Sequence, residues 1–152
     1  MDIKELLKQK EGFSQVEIPE IAGKPISEEE DLFGEVGKEK IESLKRIVSE
    51  IKVLIKERES LSKSINSECE KIKTEINNFL LDNEALPADE RDAMKEKNDL
   101  RAKKIAISEL QLNEKIDCWK DVGILKRELR AYERELLEKE ARLNSLNKLL
   151  KE

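Results

Sequence analysis

From Ile41 to Phe79, apolar side chains recur at alternating steps of three and four residues with no break in register. Ile41, Val48, Ile55, Ser62, Cys69 and Ile76 occupy one heptad position, and Leu44, Ile51, Arg58, Ile65, Ile72 and Phe79 the other. Only Ser62 and Arg58 interrupt the apolar run. A sustained pattern of this kind predicts one long helix over residues 38–83 with a narrow seam, as in a coiled coil. At 1.5 Å per residue such a helix is a rod of roughly 70 Å.

A second periodic run follows, predicting a helix over residues 87–152. Its first half offers a seam at Ala102, Ile105, Glu109, Leu112, Ile116 and Trp119. The register slips around Gly123, and a new seam continues through Val122, Leu125, Leu129, Tyr132, Leu136, Lys139, Leu143, Leu146 and Leu150. Between the runs stands Asp82-Asn83-Glu84-Ala85-Leu86-Pro87-Ala88-Asp89-Glu90. Proline is tolerated in the first turn of a helix, and acids suit its positive end. So short a connection returns the second helix antiparallel to the first. The fold class expected is all-α: a long antiparallel two-helix coiled-coil hairpin, preceded by a short helix and a flexible acidic N-terminal arm. Ile3, Leu6 and Leu7 give the short helix over residues 1–10. The arm, residues 11–37, loses periodicity and holds most of the glycine and proline.

Centring the turn at residues 85–86 fixes which residues oppose one another. Arg58 then faces Asn113, and Ser62 faces Glu109. Two seam defects meeting across the hairpin predict a polar layer, a device that fixes register at some cost in stability. The same register leaves residues 134–152 as an overhang of roughly 28 Å. Leu136, Leu143, Leu146 and Leu150 would lie bare along it, a surface for a second copy or a partner helix. Cys69 would face Ala102, with Cys118 roughly 24 Å further along the axis. That separation exceeds the reach of a disulfide, so both thiols read as small apolar fillers.

Composition narrows the function. Charged residues make up 43% of the chain and aromatics 3%, which suits long helices and leaves little bulk to close a pocket. The chain has no histidine, the usual general base near neutral pH. A non-enzymatic role with no cofactor or metal is expected. Residues 1–37 carry ten acids against four lysines, a balance of −6 within a total of −5. An acidic arm on a near-neutral body points to protein partners and away from nucleic acid. The basic residues Lys95, Lys97, Arg101, Lys103 and Lys104, and later Lys126, Arg127, Arg130 and Arg134, are mixed with acids and lack stacking aromatics. No apolar run approaches a membrane span, and the N-terminus lacks the form of a signal peptide. Two distant cysteines suit a reducing compartment, the cytoplasm or the nucleus of a eukaryote.

Candidate partner surfaces follow. Glu28, Glu29, Glu30, Asp31, Leu32 and Phe33 combine an acidic run with an apolar pair. That suits a short motif docking on a basic-rimmed pocket, or one captured by the protein's own helices. The leucines of the overhang suit a homodimer. The expected turn carries Asp82, Glu84, Asp89 and Glu90. In outline it resembles the acidic-tipped helical hairpin factors that enter the secondary channel of bacterial RNA polymerase, where tip carboxylates hold a catalytic metal. Helix capping accounts for the same acids. The leading expectation is a scaffold or adaptor in a larger assembly. The alternatives are a hairpin regulator entering an enzyme channel and a stalk-like secretion-associated hairpin.

Overall fold

The computed structural model describes residues 2–14, 35–83 and 90–151, with side chains from 2–13, 37–82 and 94–151. Every described residue except Asp2 is helical. Three helices follow in order: α1 over Ile3–Ser14, α2 over Glu35–Asn83 and α3 over Glu90–Lys151. The long helices α2 and α3 pack against each other as an antiparallel hairpin, as the two periodic runs require.

Helix α1 starts where Asp2 caps it. The Asp2 carbonyl accepts bonds from the amides of Glu5 and Leu6, at 3.1 and 3.2 Å. Glu5 lies in the first turn, where a negative charge is favoured. The helix does not stop before Gly12 but runs on to Ser14. Glycine inside a helix costs about 1 kcal/mol against alanine. Phe13 offsets that cost by packing on the core below it.

The contacts define two units. The first joins Met1–Gln15 to Arg58–Asp121. Leu6 of α1 is buried with Leu61, Ile65 and Cys69 of α2. Ile3, Phe13, Ile107 and Leu110 close around them, so three helical segments share this core. The second unit joins Val16–Glu57 to Val122–Glu152. Ile41, Leu44, Ile47, Val48, Ile51 and Ile55 of α2 are buried there, with Val122 and Leu125 of α3. Lys45 pairs with Glu140 at 3.8 Å and Lys52 with Glu133 at 3.7 Å, on the rim of that seam.

These pairs correct the expected register. The expected register puts Lys45 opposite a residue near 126, so within the second unit the pairing of α2 with α3 is shifted by roughly two heptads. A shift of whole heptads keeps every seam residue in the seam, which is why periodicity alone does not detect it. The overhang is corrected with it. Glu133 and Glu140 lie beside α2, and Leu136, Leu143 and Leu146 are half-buried within the hairpin. Leu150 alone of the four stays exposed, at 74%.

The element bounds change as well. Residues 11–14 belong to α1 and residues 35–37 to α2 rather than to an arm. The rest of the arm, including Glu28 through Phe33, lies outside the described residues, as do Glu84, Pro87 and Asp89 of the expected turn. Asp82 is exposed near the end of α2, and Glu90 is the first residue of α3.

Candidate functional site: a buried ion layer and an outward apolar stripe

The α2 seam is the expected one at most positions. Nine of its twelve residues are buried, Ser62 and Ile72 are half-buried, and Phe79 is exposed. Arg58 is among the buried nine, with no exposed surface at all. A buried guanidinium must find anions, because an unpaired charge out of water costs several kcal/mol.

Helix α3 supplies the anions. Arg58 Nη1 lies 2.6 Å from Glu114 Oε1, and Arg58 Nε donates to Asp121 Oδ2 at 2.9 Å. Glu114 and Asp121 stand one heptad apart on α3, and Arg58 reaches both of them. Glu114 is itself only 2% exposed. Its second oxygen receives Lys10 Nζ of α1 at 2.8 Å, and the same ammonium reaches Asp117 Oδ2 at 2.8 Å. Two cations from two helices thus meet three carboxylates from the third. The 2.6 Å contact is an ion pair off the hydrogen-bond line, and Arg58 Nη2 has no hydrogen-bond partner among the described residues.

The titration behaviour follows from this geometry. Burial pulls the Lys10 ammonium down, but hydrogen bonds to Asp117 and Glu114 outweigh it and hold its pKa above the ordinary lysine value. Arg58 is raised in the same way, burial being outweighed by Glu114 and Asp121. The Lys10 hydrogen bond holds Asp117 below the ordinary carboxylate value. Below the layer, burial pushes the Cys69 thiol up. Further along, Gln111 Nε2 donates to Asn66 Oδ1 at 3.0 Å and to Glu70 Oε1 at 2.9 Å. That bond from Gln111, with Lys73 second, lowers the Glu70 carboxyl.

Arg58 is therefore at the centre of a polar layer, with partners other than those expected. Asn113 and Glu109 are both exposed, and Ser62 lines an open groove between α2 and α3 with Glu114 and Cys118. Glu114, Asp117, Asp121 and Lys10 were missed. A signal for Lys10 does exist in the sequence. Ile3, Leu6, Lys10 and Phe13 follow steps of three, four and three, so Lys10 is a polar interruption of a short seam, as Arg58 is of the long one.

The expected seam of the first half of α3 is also corrected. Ala102, Ile105, Glu109, Leu112, Ile116 and Trp119 are all exposed. The inward face is instead Ile107, Leu110, Glu114, Cys118 and Asp121. Glu114 stands two residues from both Leu112 and Ile116, which puts it on the opposite side of the helix. The more apolar stripe points to solvent because the charged one is needed against Lys10 and Arg58. Trp119 is 78% exposed, Ile105 62%, Leu112 59% and Ile116 44%.

Known proteins add no constraint. The chain matches no family model, no curated protein and no solved structure. Among the described residues no cluster of three or more acids or cysteines is placed to hold a metal ion, and no helix is long and apolar enough to cross a membrane. Both cysteines are free thiols, Cys69 buried and Cys118 half-buried.

Proposed function

We propose that this protein is a non-enzymatic coiled-coil adaptor, a helical hairpin whose surface is built to hold a protein partner in the cytoplasm or nucleus. The observation that carries the reading is that in the first unit α3 turns its partly charged face inward and leaves its more apolar face in solvent. Ile105, Leu112, Ile116 and Trp119 form the unused face. Leaving large apolar side chains in water forgoes about 1.5–3 kcal/mol each relative to burial. A stripe that helical spacing gathers onto one face is more informative than the same residues scattered singly. Self-association through the C-terminal leucines is not favoured, since Leu136, Leu143 and Leu146 are already half-buried.

The test replaces Leu112 with Glu in the full chain, in its native cells. The side chain is already exposed, so helix content and melting temperature stay as in the wild type. Wild-type protein is expected to migrate in a complex well above its own 17.6 kDa, and Leu112→Glu to migrate as the free chain. A wild-type chain that is free, or a complex indifferent to the substitution, would overturn the reading.

A further inference from the structure

The outward stripe of α3 carries information about its occupant as well as its existence. Ile105, Glu109, Leu112, Ile116 and Trp119 follow steps of four, three, four and three. That is the spacing at which one helix inserts knobs between the residues of another, and a strand or an irregular loop cannot match it over four turns. The rim carries Arg101, Lys104, Lys115 and Lys120, and the stripe itself carries one acid, Glu109, exposed in its middle. The other acids of this stretch, Glu114 and Asp117, are turned away and held by Lys10 and Arg58.

Resting on the adaptor reading, we propose that this stripe docks an amphipathic helix of a partner protein with acidic flanks and a basic residue at the level of Glu109. Acidic flanks meet the lysine rim, and a cation opposite Glu109 gives the acid the partner it needs once desolvated. A second copy of the same stripe fits worse. Turned antiparallel about Leu112, it sets Lys115 at the level of Glu109, but it meets the basic rim with the same lysines, Lys104 at the level of Lys120, and supplies no acidic flank. An anionic lipid surface would be drawn to the same rim and to Trp119. Its headgroup charges stay at the level of the rim, whereas Glu109 at the centre of the stripe would be carried toward the acyl region without a partner.

Two synthetic helical peptides without tryptophan test the proposal against the full-length chain. Both carry leucine at seam positions and one central arginine; one has glutamate flanks and the other lysine flanks. Trp119 is the chain's sole tryptophan, so its emission reports the stripe directly. The glutamate-flanked peptide is expected to shift Trp119 emission to the blue and bind at least about tenfold more tightly than the lysine-flanked one, a gap that narrows as salt rises. Leu112→Glu abolishes the shift, and Glu109→Lys weakens binding of the arginine-bearing peptide. Equal binding of the two peptides, or binding of neither, overturns the proposal. So does a blue shift produced by anionic phosphatidylserine vesicles but not by the glutamate-flanked peptide, or a stripe-dependent dimer in sedimentation. If the native complex depends on Leu112 while the acidic peptide fails to bind, the adaptor reading stands and the acidic helix is excluded.

Discussion

Replacing Glu114 by Leu tests the ion layer most severely. The substitution keeps a side chain of similar size at a position that is 2% exposed, so the loss is electrostatic rather than a cavity. Lys10 retains Asp117, but Arg58 retains only Asp121, whose side chain is 29% exposed against 3% for Glu114. Removing one partner of a buried pair costs roughly 3–5 kcal/mol. Asp121 still answers the Nε end of the guanidinium, so the lower end, about 3 kcal/mol, is expected. For a chain of this length 1 kcal/mol moves the melting temperature by about 2–4 °C, which gives a fall of roughly 6–12 °C. Helical circular dichroism during thermal and urea unfolding reads it. The companion variant is Lys10→Met/Arg58→Leu/Glu114→Leu, which removes charges and counter-charge together. A buried ion cluster replaced by apolar residues of similar size is often neutral or stabilising by about 1–4 kcal/mol. The triple variant should therefore recover most of what the single one loses. Glu109→Leu serves as the control, since Glu109 is exposed and touches none of these groups. A Glu114→Leu variant within about 0.5 kcal/mol of wild type, or a Glu109→Leu variant costing as much, would refute the layer as described.

Gly123→Ala should stabilise the chain by about 0.5–1 kcal/mol, because the glycine is helical and an added Cβ meets nothing within 4 Å; a lower melting temperature would contradict this. Stability should be flat around neutral pH and fall at both ends. Asp117 is depressed, so its contribution is present above the unfolded carboxylate value of about 3.9 and is lost as pH falls below it; Lys10 is raised, so its contribution is present below about 10.4 and is lost as pH rises through the folded value. A denaturation midpoint measured against pH, wild type beside Lys10→Met, isolates both limbs, since both depend on the same ammonium. Iodoacetamide should label half-buried Cys118 before buried Cys69, whose thiol is also held protonated by burial; faster labelling of Cys69 would show that α1 does not cover it.

The helical hairpin was legible because its signal is local. Period and run length are properties of each segment, and the α2 seam follows from them almost entirely. Register was not legible, for a reason that lies in the heptad itself. Any displacement by whole heptads preserves the apolar pattern, so the choice among registers rested on where the turn was centred. The first half of α3 failed differently. Two stripes compete there, and hydrophobicity selects Ile105, Leu112, Ile116 and Trp119 because the true inward face contains Glu114 and Asp121. Only the presence of Arg58 and Lys10 on other helices makes that face the better one, and this information is tertiary. Docking of α1 was hidden for a related reason: Gly12 reads as a stop until Phe13 is seen to pack beyond it.

The register of α2 against α3 and the rotation of α3 are set at one place. Heptads leave the sliding of α2 against α3 nearly degenerate, and an apolar layer at Arg58 would leave it so. The ion layer removes the degeneracy locally. Sliding α3 by one heptad in one direction brings Ile107 and Glu114 to Arg58, halving its carboxylates. In the other direction it sets Asp121 and Glu128 against Arg58 but puts Ile124 in the place of Asp117, so Lys10 loses one of its two carboxylates. The register found is the one in which one carboxylate, Glu114, serves cations from both other helices while Asp117 and Asp121 complete each. Polar layers in helical seams trade stability for that kind of choice. Here the choice has a second consequence. Holding Glu114 inward fixes the rotation of α3 about its axis, and that rotation is what presents Leu112, Ile116 and Trp119 to solvent. The triple apolar variant should therefore melt at least as high as Glu114→Leu yet present the stripe less uniformly. Its Trp119 emission should be broader and bluer than wild type before any peptide is added. If its emission matches that of the wild type, the layer sets stability alone and the rotation of α3 is fixed by Ile107, Leu110 and their apolar neighbours.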